Sequence, residues 1–180
     1  MPAFRKLAER EVYRGSLISV AVGRFAAPTG EEFERDVVHH PGAVSIVPVL
    51  EDGRTVVLLR QYRAAIDRDL LEIPAGKRDV AGEAPELTAH RELAEEIGMR
   101  AGRLQPLAEF YNSPGFCDEH SFVFMALDLE ACDNSLQGVE EQHMTVEHVV
   151  LADVPRLIAA GELVDAKSII GLTLAIEALR

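Results

Sequence analysis

The side chains best placed to do chemistry are three carboxylates, Glu92, Glu95 and Glu96, in a segment that reads as helix. At about 100° per residue, with Glu92 at zero, Glu96 falls at about 40° and Glu95 at about 300°, so all three share one face. Leu93, Ile97, Ala94 and Leu87 fall on the opposite side and predict the core-facing stripe. Like charges at i and i+4 oppose helix formation, and acids late in a helix oppose its macrodipole. A bound cation would offset both costs, and hard oxygen donors suit Mg²⁺ or Mn²⁺. The plainer reading of the same face is a solvated acidic surface paired with Arg91 or Arg100.

The charge distribution allows either reading. The 180 residues carry a formal net charge of −12. Residues 1–75 hold 11 acids and 10 bases, while residues 76–180 hold 19 acids and 8 bases. Such a balance excludes a general binder of nucleic acid or anionic membranes, which needs a basic face for phosphates. Apolar runs such as 42–50 are strand-sized, far below the roughly 20 residues of a membrane-spanning helix. Arg5 and Lys6 are followed by Glu9, Arg10 and Glu11 where a signal peptide needs an apolar region. Cys117 and Cys132 form neither a disulfide framework nor a zinc spacing, so reduced thiols in a cytoplasm are expected.

Several elements must position the acidic helix. Strands are predicted over 17–22 and 33–38 around the turn Pro28-Thr29-Gly30, and over 43–50 and 55–60 around Asp52-Gly53. A short strand over 70–73 runs into Pro74-Ala75-Gly76. The acidic helix itself spans 85–97, with Pro85 in its first turn and Gly98 at its C-terminal cap. Strands follow over 104–111, 121–129 and 146–151, then helices over 154–160 and 166–179. This interleaving predicts an α/β or α+β domain with a mixed sheet covered by helices. Residues 1–40 are expected to form a β-rich arm, and 41–180 the main domain.

From Gly76 to Met99 the sequence resembles the signature of the Nudix hydrolase family. Glu83, Arg91, Glu92, Leu93, Glu95, Glu96, Gly98 and Met99 match in register, and the one departure is six residues between Gly76 and Glu83 in place of the common five. The segments Leu59-Arg60-Gln61-Tyr62-Arg63, Leu71-Glu72-Ile73-Pro74-Ala75-Gly76 and Ser113-Pro114-Gly115-Phe116 are similar to members that hydrolyse ADP-ribose, where a proline at the place of Pro114 marks the subfamily.

The resemblance implies a Nudix-type α/β/α sandwich and Mg²⁺-dependent cleavage of ADP-ribose to AMP and ribose 5-phosphate. Another nucleoside diphosphate sugar is an alternative substrate, and a non-catalytic ADP-ribose-binding domain is a further alternative. Glu92, Glu96 and Glu95 would hold metal with the carbonyl of Ala75; Mn²⁺ would be able to substitute. Arg91 would orient a carboxylate, and Glu83 would support the loop or reach metal through water. Arg63, then Arg60, would meet the substrate phosphate. On residue types alone Arg63 pairs equally well with Asp67, Asp69 or Glu72. Glu141, then Glu140, would be the general base on a loop before a strand. The subfamily's habit also implies a homodimer sharing the N-terminal arm.

Overall fold

The computed structural model describes residues 3–133 and 142–180. Four strands form the central sheet: β4 (Ala43–Pro48), β7 (Ala75–Lys77), β8 (Met99–Tyr111) and β9 (His120–Ala131), in the order β7-β4-β9-β8. Beside it β5 (Thr55–Arg63) pairs antiparallel with both β6 (Arg68–Glu72) and β10 (Thr145–Val150). The helices are α1 (Pro85–Ile97), α2 (Val154–Ala159) and α3 (Ala166–Ala178).

Alternation along the strands places a helix on each face of the sheet. Val44 and Ile46 of β4 join Phe124 and Ala126 of β9 in one buried cluster with Ala89 and Leu93 of α1. The opposite side chains, Val47 and Val123, turn to α3, where a β-carbon on Gly171 would lie 3.1 Å from each. Glycine at that point lets helix and sheet backbones approach closely. The architecture is the mixed α+β sandwich expected from the sequence. Among the described residues, no helix is long and apolar enough to cross a membrane.

The described residues divide into two compact units, 43–109 with 122–180, and 1–42 with 110–121. The second contains a meander of β1 (Arg5–Arg14), β2 (Ser19–Ala26) and β3 (Glu32–His39), antiparallel in that order. Strand β1 was not expected from hydropathy. All ten of its residues are exposed, so it carries no apolar alternation and is defined by its ladder to β2. Within the same unit the backbone of Val38 exchanges hydrogen bonds with Phe116 and Asp118, fixing the turn that carries Pro114.

The acidic helix has the bounds expected. Pro85 opens it, and Gly98 closes it at φ 61°, ψ 38°, where its N–H reaches the carbonyls of Ala94 and Leu93. The stripe differs from the wheel. Leu93 is fully buried, but Leu87 is 59% exposed, while Glu92 and Glu96 are buried. A wheel ranks side chains by polarity alone, whereas this helix also buries its acidic side. Glu92 and Glu96 therefore do not belong to a solvated face.

Candidate active site

The site grows from the chain reversal between β6 and α1. Short strand β7 pairs antiparallel with β4, matching Ala43 with Lys77, Val44 with Gly76 and Ser45 with Ala75. The strand expected from the sequence ends at residue 73 and leaves 75–77 without one of its own, because three residues containing Ala and Gly carry no strand period. The pairing lays the backbone of Ala75 and Gly76 against the buried carboxylates of α1. Ala75 N–H donates to Glu96 Oε2 at 3.0 Å. At Gly76 the Glu92 carboxylate fills the space that a side chain would take, since an added β-carbon would sit 1.8 Å from Glu92 Cδ.

Arg91 gathers the acids. Its Nη1 lies 2.7 Å from Glu92 Oε1 and donates to Glu95 Oε2 at 3.0 Å, while its Nη2 donates to the carbonyl of Lys77 at 3.3 Å. Glu83 lies 3.7 Å from Nη2 and accepts from Thr88 Oγ1 at 2.7 Å, so it ties the loop to the first turns of α1. Burial works against the Arg91 charge, but Glu92, Glu95 and Glu83 outweigh it and hold its pKa above the ordinary value.

The donor set fits a hard divalent cation. Glu92 and Glu96 supply buried carboxylate oxygens beside a backbone kept bare by Gly76. Among the described residues no three Asp, Glu, His or Cys side chains form a metal cage. Mg²⁺ does not need one, since it binds through one or two carboxylates and completes its shell with water and substrate phosphate.

A second charged group lies at the ends of β5 and β6. Arg63 donates from Nε to Glu72 Oε1 at 2.7 Å and from Nη2 to Glu72 Oε2 at 2.5 Å. Lys167 of α3 also donates to Glu72 Oε2, and to Asp165 Oδ2 at 2.9 Å. The Glu72 contact raises the Arg63 pKa. Burial alone would push the Glu72 carboxyl upward, but Arg63 and Lys167 hold it below its ordinary value. Of the three partners open to Arg63 in the sequence, the fold selects Glu72. Arg60 instead forks onto Glu147 of β10, at 2.6 and 3.3 Å.

Sequence reasoning missed the network through Lys167, Asp165 and Ser168. Its one local signal was Asp165 three residues before Ser168, a helix-start pattern, and Asp165 does accept from Ser168 N–H at 3.0 Å. Pro114 lies in the other unit, in a turn where the Ser113 carbonyl accepts from Phe116 and Cys117. Glu140 and Glu141 lie outside the described residues.

The chain and its fold have counterparts among known proteins. The NUDIX domain model matches residues 39–169, and the chain belongs to that family. It is 37% identical to the ADP-ribose pyrophosphatase of Bacillus subtilis (strain 168), over 91% of this chain and 88% of the relative. It is 36% identical to the ADP-ribose pyrophosphatase of Mycobacterium tuberculosis (strain ATCC 25618 / H37Rv), over 98% of this chain and 84% of the relative. Among solved structures, one described as an ADP compounds hydrolase superposes with a TM-score of 0.83 at 25% identity, covering 98% of this chain and 94% of that one. The chain is accordingly an enzyme of the hydrolase class.

Proposed function

We propose that the protein hydrolyses the diphosphate of ADP-ribose, a nucleoside diphosphate sugar, to AMP and ribose 5-phosphate, with Mg²⁺ as cofactor and Mn²⁺ able to substitute. The observation that carries this reading is the convergence of buried Glu92 and Glu96 on the bare backbone of Ala75 and Gly76. The relatives named for ADP-ribose support the choice of substrate.

Glu92 and Glu96, with Glu95 and the Ala75 carbonyl, would hold the cation. When bound, the cation neutralises diphosphate oxygens and acidifies a coordinated water. The chain's own residues do the remaining work. Arg91 keeps three acids within one neighbourhood and limits their mutual repulsion. Glu83 holds the preceding loop to α1 through Thr88. Arg63 offers the substrate a planar guanidinium suited to phosphate oxygens, with Arg60 as a further substrate contact. Glu141, or Glu140 beside it, accepts the proton of the attacking water. Water's oxygen then bonds to phosphorus as the bond to the bridging oxygen breaks, leaving two monophosphates.

The same reading makes the protein a cytoplasmic homodimer that joins through the arm, residues 1–40. Its support is β1, which exposes Leu7, Val12 and Tyr13 on an edge that pairs with no further strand among the described residues. Sedimentation showing only monomer removes the dimer. Hydrolysis is tested with ADP-ribose and a panel of other nucleotide sugars in Mg²⁺, resolving the products by chromatography. AMP formed faster from ADP-ribose than from the rest of the panel supports the substrate. Preference for another nucleotide sugar overturns it.

A further inference from the structure

Two segments of the site are tied to the start of α3 by a buried network. Glu72, 2% exposed, receives Arg63 on one side and Lys167 on the other. The next residue, Ile73, donates its N–H to Ser168 Oγ at 2.9 Å, and that hydroxyl donates onward to Asp165 Oδ2 at 2.5 Å. The chain therefore enters Pro74-Ala75-Gly76 with both preceding residues, Glu72 and Ile73, fixed to α3's first turn.

Glu72 occupies only one edge of the Arg63 guanidinium. Nε and Nη2 are used, no bond from Nη1 is seen among the described residues, and the side chain is 40% exposed. A carboxylate that grips Nε and Nη2 fixes the plane of the group and leaves the Nη1 edge for an incoming anion. Lys167 shares the Glu72 charge, with Asp165 behind it, so that the arginine need not neutralise Glu72 alone.

We propose that Glu72 and Lys167 are positioning residues that hold Arg63 by one edge and present the other to the substrate diphosphate. This rests on the reading above that Arg63 meets that phosphate. The competing account is an ion pair that serves only to pin β6 to α3. The two accounts differ in whether the effect of Glu72 passes through Arg63.

The test is a double-mutant cycle with Glu72→Gln, Lys167→Met, Lys167→Arg and Arg63→Ala, alone and with Arg63→Ala combined with each of the other changes. Melting temperature, kcat and KM for ADP-ribose are measured, with calorimetric binding of α,β-methylene ADP-ribose. Glu72→Gln and Lys167→Met should weaken analogue binding by roughly tenfold. Lys167→Arg should restore most of it. In the Arg63→Ala background neither change should weaken binding further. Losses that multiply with Arg63→Ala, or analogue binding unaltered in both folded single variants, overturn the proposal. Should Glu72→Gln fail to fold, the Lys167 pair of variants decides by the same criteria. A wild-type protein that hydrolyses ADP-ribose while the variants bind normally overturns this inference alone. A wild-type protein inert toward every nucleotide sugar overturns the functional reading and this inference with it.

Discussion

Gly76 and the Glu92 carboxylate occupy adjoining space so closely that a methyl group on Gly76 would overlap it, at 1.8 Å from Cδ and 2.0 Å from Oε1. The atoms that would collide belong to the end of a flexible side chain rather than to backbone. Gly76→Ala should therefore move the carboxylate and leave the fold standing. We expect turnover to fall roughly 100-fold, as misplacement of a reacting group by about 1 Å can cost. The melting temperature should change little. A variant with normal Mg²⁺-dependent turnover would show that Glu92 does not act from its present position.

Glu96→Gln separates charge from shape at the neighbouring position. Glu96 accepts from Ala75 N–H, and the carbonyl oxygen of glutamine can accept the same bond, so β7 should remain in place. Loss of the negative oxygen removes a hard metal donor. Turnover should drop by roughly 100-fold or more, beyond the 10- to 100-fold typical of residues that only support a ligand. Unchanged turnover at saturating Mg²⁺ sinks the metal assignment for Glu96.

These two residues also show what the sequence makes legible. Spacing on α1 was enough to place Glu92 and Glu96 together, and Pro85 and Gly98 marked both helix ends. Burial of the acids was not legible, because it depends on β7 pairing with β4 more than 25 residues earlier in the chain. Glu72 and Lys167 stand 95 positions apart, and no local period links them. Their meeting depends on α3 packing against the sheet at Gly171. Strand β1 escaped for another reason: with every residue exposed, its only signature is a hydrogen-bond ladder.

Arg91 is the counter-charge for three acids, so removing it should expose their repulsion. Arg91→Met should lower the stability of the metal-free protein by about 1–3 kcal/mol, the range for losing hydrogen bonds to charged groups. Mg²⁺ should then raise the melting temperature more in the variant than in the wild type, because the cation relieves a larger repulsion. Equal shifts in both proteins, read by differential scanning fluorimetry, would mean that Arg91 contributes nothing to holding the carboxylates.

His39 provides a pH-dependent contact in the unit formed by 1–42 and 110–121. Its Nδ1 lies 2.5 Å from Asp118 Oδ2 and its Nε2 lies 3.1 Å from Glu9 Oε1. Only the imidazolium can donate from both nitrogens at once. Asp118 also accepts from His40 N–H, Glu9 is paired with Lys6, and Glu119 stands 3.9 Å from His40 Nδ1. The hydrogen bond to Asp118 is the main cause raising the His39 pKa above 6.5, with burial opposing it and Glu9 assisting. A raised pKa means that the folded state binds the proton more tightly than the unfolded chain. The resulting stability is complete below the unfolded value of 6.5 and is lost as pH rises through the folded-state pKa. His39→Gln should therefore lower the melting temperature at about pH 6, and the difference from wild type should shrink as pH rises through the folded-state pKa. A difference between variant and wild type that stays constant over that range would show that protonation of His39 does not stabilise the contact.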